Sequence, residues 1–249
     1  MDTSMIMPLP DRGTSQPLLS LYTERYRECI RTQPCRLLFY EFYGTEELIT
    51  YIPTGCMDFL IEESSGNGSF IEPYTSCQPL SCIPGHRYFG VRFPAGMLPG
   101  RRFPAEYLAA GIRQLPSFGD RADWFIKNFR PEQHTMPLNE PVRYMLDHLC
   151  QSHGSATVKE LSFALNYSER HIHRLFLSHM GFGPKHYSRI VRFRSALQEI
   201  QKAPNKNNSN FITFLGYSDQ AHFQREFKEF TGVTPRQYIN LYLTTTLRS

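Results

Sequence analysis

One stretch of the chain is written twice. Asn166-Tyr167-Ser168-Glu169-Arg170-His171-Ile172-His173-Arg174-Leu175-Phe176 returns about 51 residues later as Gly216-Tyr217-Ser218-Asp219-Gln220-Ala221-His222-Phe223-Gln224-Arg225-Glu226-Phe227, with one residue added in the turn. Each copy runs into a matching tail, Gly181-Phe182-Gly183-Pro184-Lys185-His186-Tyr187 and Gly232-Val233-Thr234-Pro235-Arg236-Gln237-Tyr238. Agreement at this many positions marks two versions of one supersecondary unit.

The chemistry of each copy is that of a helix-turn-helix. A short helix ends at Asn166 or Gly216, residue types that tolerate a left-handed turn. Ser168 and Ser218 suit the start of the following helix, and Tyr167 and Tyr217 suit the gap between the two helices. Ile172, Leu175 and Phe176 form one apolar stripe of the second helix; Phe223 and Phe227 do so in the other copy. The opposite face carries Glu169, Arg170, His173 and Arg174, or Gln220, Ala221, Gln224 and Arg225. Arginine grips guanine with two hydrogen bonds, and glutamine does the same to adenine, so these faces suit a major groove.

The flanking sequence predicts more helix. Asn139-Glu140-Pro141 reads as a helix start, followed by Val142, Met145, Leu146 and Leu149 on one face. Thr157 and Glu160 fit a capping box, which predicts a short helix over Val158–Leu165. Between the copies, Tyr187, Ile190, Val191, Phe193, Ala196, Leu197 and Ile200 have helical spacing across Lys185–Gln201. A helix of that length is ~25 Å long, a strut able to hold two recognition helices roughly one DNA turn apart, about 34 Å. Arg189, Arg192 and Arg194 on its other face are candidates for phosphate contact. Ala203–Asn210 is polar and reads as a loop.

Charge is distributed in the same sense. From Pro137 to Ser249 there are 14 Lys+Arg against 8 Asp+Glu, a net +6, while the preceding residues carry −2 within a total of +4. A basic half joined to a mildly acidic one suits a polyanion-binding module attached to something else.

As a set these motifs resemble the AraC/XylS family of bacterial transcription regulators. The carriers are Tyr167-Ser168-x-x-His171-Ile172-x-Arg174-x-Phe176, Gly181-x-x-Pro184-x-x-Tyr187, Arg192-Phe193-x-x-Ala196, Gly216-Tyr217-Ser218-Asp219-Gln220-x-His222-Phe223-x-x-Glu226-Phe227 and Gly232-Val233-Thr234-Pro235-x-x-Tyr238. The family usually has alanine four residues before the turn residue; here those positions hold Ser162 and Ile212. The resemblance implies that the second helix of each unit enters the major groove of double-stranded DNA. Arg170, His173 and Arg174 would read bases in the first unit, and Gln220, Ala221, Gln224 and Arg225 in the second. His222 would touch a base or the backbone, with Arg189 and Arg192 on phosphates. The blander reading makes Arg174 and Arg225 intrahelical ion-pair partners and lets His171 and His222 satisfy local backbone groups.

The N-terminal half has a different texture. Short β-branched or aromatic runs at Arg36–Tyr43, Leu48–Ile52, Met57–Glu62 and Tyr88–Phe93 are separated by turn residues, the pattern of a sandwich or barrel. Tyr51–Ile61 and Gly90-Val91-Arg92-Phe93-x-x-Gly96 are similar to the cupin-like sensory domain found in some of these regulators, with Thr54 where that family often has Asp. Arg92 has Glu62, Glu63 or a bound anion as possible partners. The fold class expected is therefore multidomain: a mostly-β, cupin-like N-terminal domain and an all-α C-terminal domain with two helix-turn-helix units joined by a linker helix. Residues 1–16 read as a flexible tail, 17–130 as the β-rich regulatory domain, 131–137 as a linker and 138–245 as the DNA-binding domain.

Other chemistries find little in the sequence. The six cysteines (Cys29, Cys35, Cys56, Cys77, Cys82, Cys150) form no C-x-x-C pair and read as buried thiols. His86 is the lone histidine between residues 34 and 104, too few for a cupin metal site, so neither a metal nor a cofactor is expected. No apolar run of membrane-spanning length occurs, and Met1–Gly13 lacks the pattern of a signal peptide, so the expected location is the cytoplasm. The functional expectation is a non-enzymatic, sequence-specific transcription regulator of activator type, with RNA polymerase, a small-molecule effector and a second copy of the chain as further partners. The rival is a DNA-associated enzyme such as an alkyl-transfer repair protein, which needs a reactive cysteine. A third reading gives the N-terminal half a protein partner alone.

Overall fold

The computed structural model describes residues 23–202, 213 and 215–246. The expected tail at 1–16, the loop Ala203–Asn210 and Ile212 lie outside the described residues.

Alternation with period two builds the N-terminal region. Among the described residues there are seven strands: β1 (Thr23–Arg31), β2 (Leu37–Gly44), β3 (Leu48–Tyr51), β4 (Asp58–Glu62), β5 (Gly68–Ile71), β6 (Gln78–Ser81) and β7 (Arg87–Arg92). Five form an antiparallel sheet in the order β1-β2-β7-β4-β5, and β3 pairs with β6 in a second sheet. The four expected strands are found within a residue or two. The mostly-β reading holds, and the stretch Pro104–Phe129, where the sequence pattern turns helical, forms α1 (Ala105–Arg113) and α2 (Phe118–Asn128).

Both faces of β2 are buried, and they look in different directions. Leu37 and Phe39 join Phe59, Ile61, Phe89 and Val91 beneath Leu108 and Ile112 of α1 and Phe125 of α2. Leu38, Tyr40 and Phe42 join Ile49 and Tyr51 in a second apolar cluster. That second cluster continues without a break into the C-terminal helices, taking in Val142, Leu146, Tyr187 and Ile190. The β-rich and helical regions thus share one interior.

Each face of the sheet also holds a buried charge, and each charge is partnered, as burial requires. On the helix-covered face, Arg121 of α2 donates to Glu41 at 2.6 Å and to Glu63 at 2.7 Å, with Arg27 on the other oxygen of Glu41 at 2.6 Å. On the other face, Arg92 binds both carboxylate oxygens of Asp58, at 2.8 and 2.7 Å, and donates to the Tyr51 hydroxyl at 2.9 Å. Tyr40 donates to Asp58 at 2.7 Å, and Tyr51 does so as well. The sequence sent Arg92 to Glu62, Glu63 or an anion. Register decides otherwise, since Asp58 is the cross-strand partner of Arg92 whereas Glu62 faces Tyr88.

The segment expected to be a plain linker is packed. A one-turn helix α3 (Pro131–His134) is followed by backbone bonds from Gly100 to His134 and from Met136 to Leu98. Among the described residues the helices that follow are α4 (Glu140–Gln151), α5 (Val158–Leu165), α6 (Glu169–Met180), α7 (Pro184–Lys202), α8 (Gln220–Thr231) and α9 (Pro235–Thr246). Among the described residues, no helix is long and apolar enough to cross a membrane.

Candidate nucleic-acid interface

The first helix-turn-helix is α5, a turn and α6. Thr157 and Glu160 close the anticipated capping box at the start of α5, with bonds of 3.2 and 2.7 Å. Asn166 ends the helix at φ 53° and ψ 41°, the left-handed conformation that turns the chain. Ser162, where the family usually has alanine, places its hydroxyl on the carbonyl of Tyr167 and so ties the turn. Ser168 caps α6 by accepting the His171 amide at 3.2 Å. Ile172, Phe176 and Met180 then face inward, which leaves Arg170, His173 and Arg174 exposed together on the outer face.

The second unit repeats this with one shift. Gly216 takes φ 83° at the turn. The extra residue moves the cap from Ser218 to Asp219, whose carboxylate accepts the His222 amide at 2.7 Å. Phe223, Phe227 and Phe230 are buried, and Gln220, Ala221, Gln224 and Arg225 are exposed on the opposite face. Of the helix that precedes this turn, Thr213 alone is described, and it is helical.

The two tyrosines of the repeat behave differently. Tyr217 is buried as expected, with its ring beneath the Arg192 guanidinium. Tyr167 is 38% exposed and packs edge-on against His171 instead of filling the gap between helices. His222 does meet a local backbone group, accepting the Ser218 amide at 3.4 Å beside the Ser218 hydroxyl at 3.2 Å, whereas His171 Nδ1 lies 3.1 Å from a side chain, Arg174 Nη2.

The strut helix α7 spans Pro184–Lys202, and all seven of its expected apolar residues are buried. Its three arginines are less exposed than the sequence suggested. Arg189 donates to Glu226 at 2.7 Å and to Glu229 at 2.6 Å. Burial opposes its charge, but these two carboxylates outweigh that and hold its pKa above the ordinary value. Arg192 reaches the Gly216 carbonyl at 3.4 Å and lies 3.6 Å from Glu226. Arg194 is buried and donates to the carbonyl of Thr54 at 3.1 Å, so it faces the β-rich region, away from any phosphate. A helix enclosed on several sides places its long cations among protein acceptors.

The cysteines give no reactive centre. Burial raises the pKa of all six thiols, to about 12 for Cys35 and about 11 for Cys82 and Cys150. A reactive thiol requires the opposite shift. Among the described residues no group of three or more His, Cys, Asp or Glu could hold a metal.

Residues 161–240 match a family model described as a helix-turn-helix domain. The C-terminal helical region thus contains a helix-turn-helix domain. The uncharacterized HTH-type transcriptional regulator YisR of Bacillus subtilis is 26% identical over 125 residues, 50% of this chain and 37% of its own length. An uncharacterized HTH-type transcriptional regulator of Staphylococcus aureus is 30% identical over 86 residues, 34% of this chain and 11% of its own length. The chain therefore spans well under half the length of these curated relatives. Among solved structures, ToxT of Vibrio cholerae aligns over 83% of this chain and 97% of its own with 12% identity and a TM-score of 0.49. The matched segment covers both turns and both of the helices, α6 and α8, that follow them.

Proposed function

We propose that the chain is a sequence-specific DNA-binding transcription regulator that reads adjacent stretches of major groove with α6 and α8. The observation that carries this reading is the pair of solvent-facing stripes. Arg170, His173 and Arg174 stand on one helix and Gln220, Ala221, Gln224 and Arg225 on the other, each backed by buried aromatic or aliphatic residues. Exposed Arg and Lys supply affinity through phosphate, with steep salt dependence; the two stripes supply discrimination between bases. His222, tied to its own turn, supports the start of α8 and lies at the edge of the reading face. Arg189 and Arg192 act on DNA from behind, through the second unit.

The β-rich region serves as a sensory or pairing module in this proposal, with a small-molecule effector or a second copy of the chain as its partner. RNA polymerase is the partner through which a bound regulator acts, and the cytoplasm is where it works. The contact between Thr54 and Arg194 supports coupling of that region to the strut. No observation favours the alkyl-transfer reading, since burial pushes the cysteine thiols above their ordinary pKa, against thiolate formation.

The test is selection of duplexes from a random-sequence library by the full chain, followed by titration across salt. Recovery of a defined motif whose affinity falls steeply with salt supports the proposal. Recovery of no motif, with equal affinity for all duplexes, overturns it.

A further inference from the structure

Glu226 is the anomaly of the second recognition helix. In the first copy of the repeat the equivalent residue is Leu175. Glu226 is 3% exposed, on the side of α8 turned away from the reading face. A carboxylate in that place needs cationic partners, and α7 provides two. Arg189 Nε donates to Oε2 at 2.7 Å, and Arg192 Nε lies 3.6 Å from Oε1. From α8 itself, His222 Nε2 stands 3.9 Å from Oε2. Each arginine also lies over an aromatic ring of the second unit, Arg189 over Phe230 at 5.1 Å and Arg192 over Tyr217 at 4.9 Å.

We propose that Glu226, gripped by Arg189 and Arg192, fixes the angle of the second recognition helix on the strut and so sets the spacing between half-sites that the two units accept. The inference rests on the DNA-reading role proposed above and adds a positioning residue to it. Apolar contact between α7 and α8, such as Phe193 against Phe227 and Phe230, holds the helices together but tolerates re-packing. The hydrogen bond from the planar Arg189 guanidinium is directional, and the charge of Arg192, 3.6 Å away on the next turn of the same helix, holds the carboxylate from a second side. The first unit carries an apolar residue at this position, so the clamp belongs to the second unit alone. It also accounts for two arginines that would otherwise be expected on phosphates.

The experiment uses the full chain and duplexes recovered from a random-sequence library, with one base pair added or removed between the half-sites. The wild-type chain is expected to prefer one spacing sharply. Glu226→Gln and Arg189→Gln should each weaken binding at that spacing about tenfold and flatten the preference, and the double variant should be no worse than either single. Affinity for a duplex carrying the first unit's half-site alone should not change. Retention of the wild-type spacing preference in both variants overturns the proposal. So does tighter binding with a steeper salt slope, which would make the arginines phosphate ligands restrained by Glu226. If Glu226→Gln does not fold, Arg189→Gln carries the test, its side chain being 24% exposed. A wild-type chain that selects no paired half-sites defeats the DNA-reading proposal itself, a result distinct from an unaltered variant.

Discussion

Gly55 lies flat against the ring of Tyr187. A Cβ at Gly55 would stand 2.6 Å from Tyr187 Cε2, nearer than any real contact, and the backbone there is at φ 70°. The loop before β4 therefore rests directly on the strut between the two helix-turn-helix units, and the missing side chain is what allows it. Gly55→Ala is expected to lower stability by about 1–3 kcal/mol, from backbone strain and overpacking together. Urea unfolding of this variant and of Gly55→Ala/Tyr187→Leu separates the causes. Relief of crowding should return part of the loss in the double variant, and an unchanged loss would leave backbone strain as the whole cause.

The exposed stripes make a prediction of the opposite kind. Arg174→Ala and Arg225→Ala should each cost about 1–3 kcal/mol of binding free energy on the selected duplex, while thermal stability stays within about 0.5 kcal/mol because both side chains are exposed. Binding titrations and thermal melts on the same preparations check this. Full affinity in both variants would remove the two arginines from the reading face.

Inside the β-rich region, Asp58 and Arg92 are both at 0% exposure. Asp58→Ala would leave the guanidinium buried without its counter-charge, and a loss of about 3–5 kcal/mol is expected. Asp58→Leu/Arg92→Met removes both charges and should be less damaging than Asp58→Ala alone. Denaturant midpoints decide; a double variant worse than the single would show that the tyrosine bonds, rather than the ion pair, dominate this cluster.

Glu62 gives a pH dependence with a defined sign. Burial works to raise its pKa, but bonds from Ser64 and Ser65 outweigh it and take the carboxyl down to about 2, against an ordinary 4.5. A group depressed in the folded state adds stability that is complete above its unfolded pKa and lost as pH falls through the folded one. The wild-type chain should therefore lose more stability than Glu62→Gln between about pH 4.5 and 2. Parallel acid titrations followed by circular dichroism would reveal equal losses if the loop bonds contribute nothing.

The helical half was legible in the sequence because its signals are local. The Thr157–Glu160 box, the left-handed Asn166, the caps and the apolar spacing of α7 each depend on residues within a few positions of one another. The shift of the second cap to Asp219 was implicit in the extra turn residue. Non-local facts were hidden. Asp58 and Arg92 meet through strand register, which their 34-residue separation does not announce. Arg189, Arg192 and Arg194 share a helix with a readable apolar stripe, yet their partners, Glu226 and the Thr54 carbonyl, come from elsewhere in the chain. A cue was present for Glu226, as the acidic residue where the other copy of the repeat has leucine. β1, a polar edge strand, gave no alternation to find.

The shared interior has a thermodynamic consequence. Separate cores would melt in separate steps, each with its own midpoint. Here Leu38 and Tyr40 of the sheet belong to the same packed cluster as Ile190 and Leu146 of the helices, so neither half can lose its order without stripping apolar cover from the other. The chain is built to unfold in one cooperative transition, and anything that tightens or loosens the sheet should move the midpoint of the helices by the same amount.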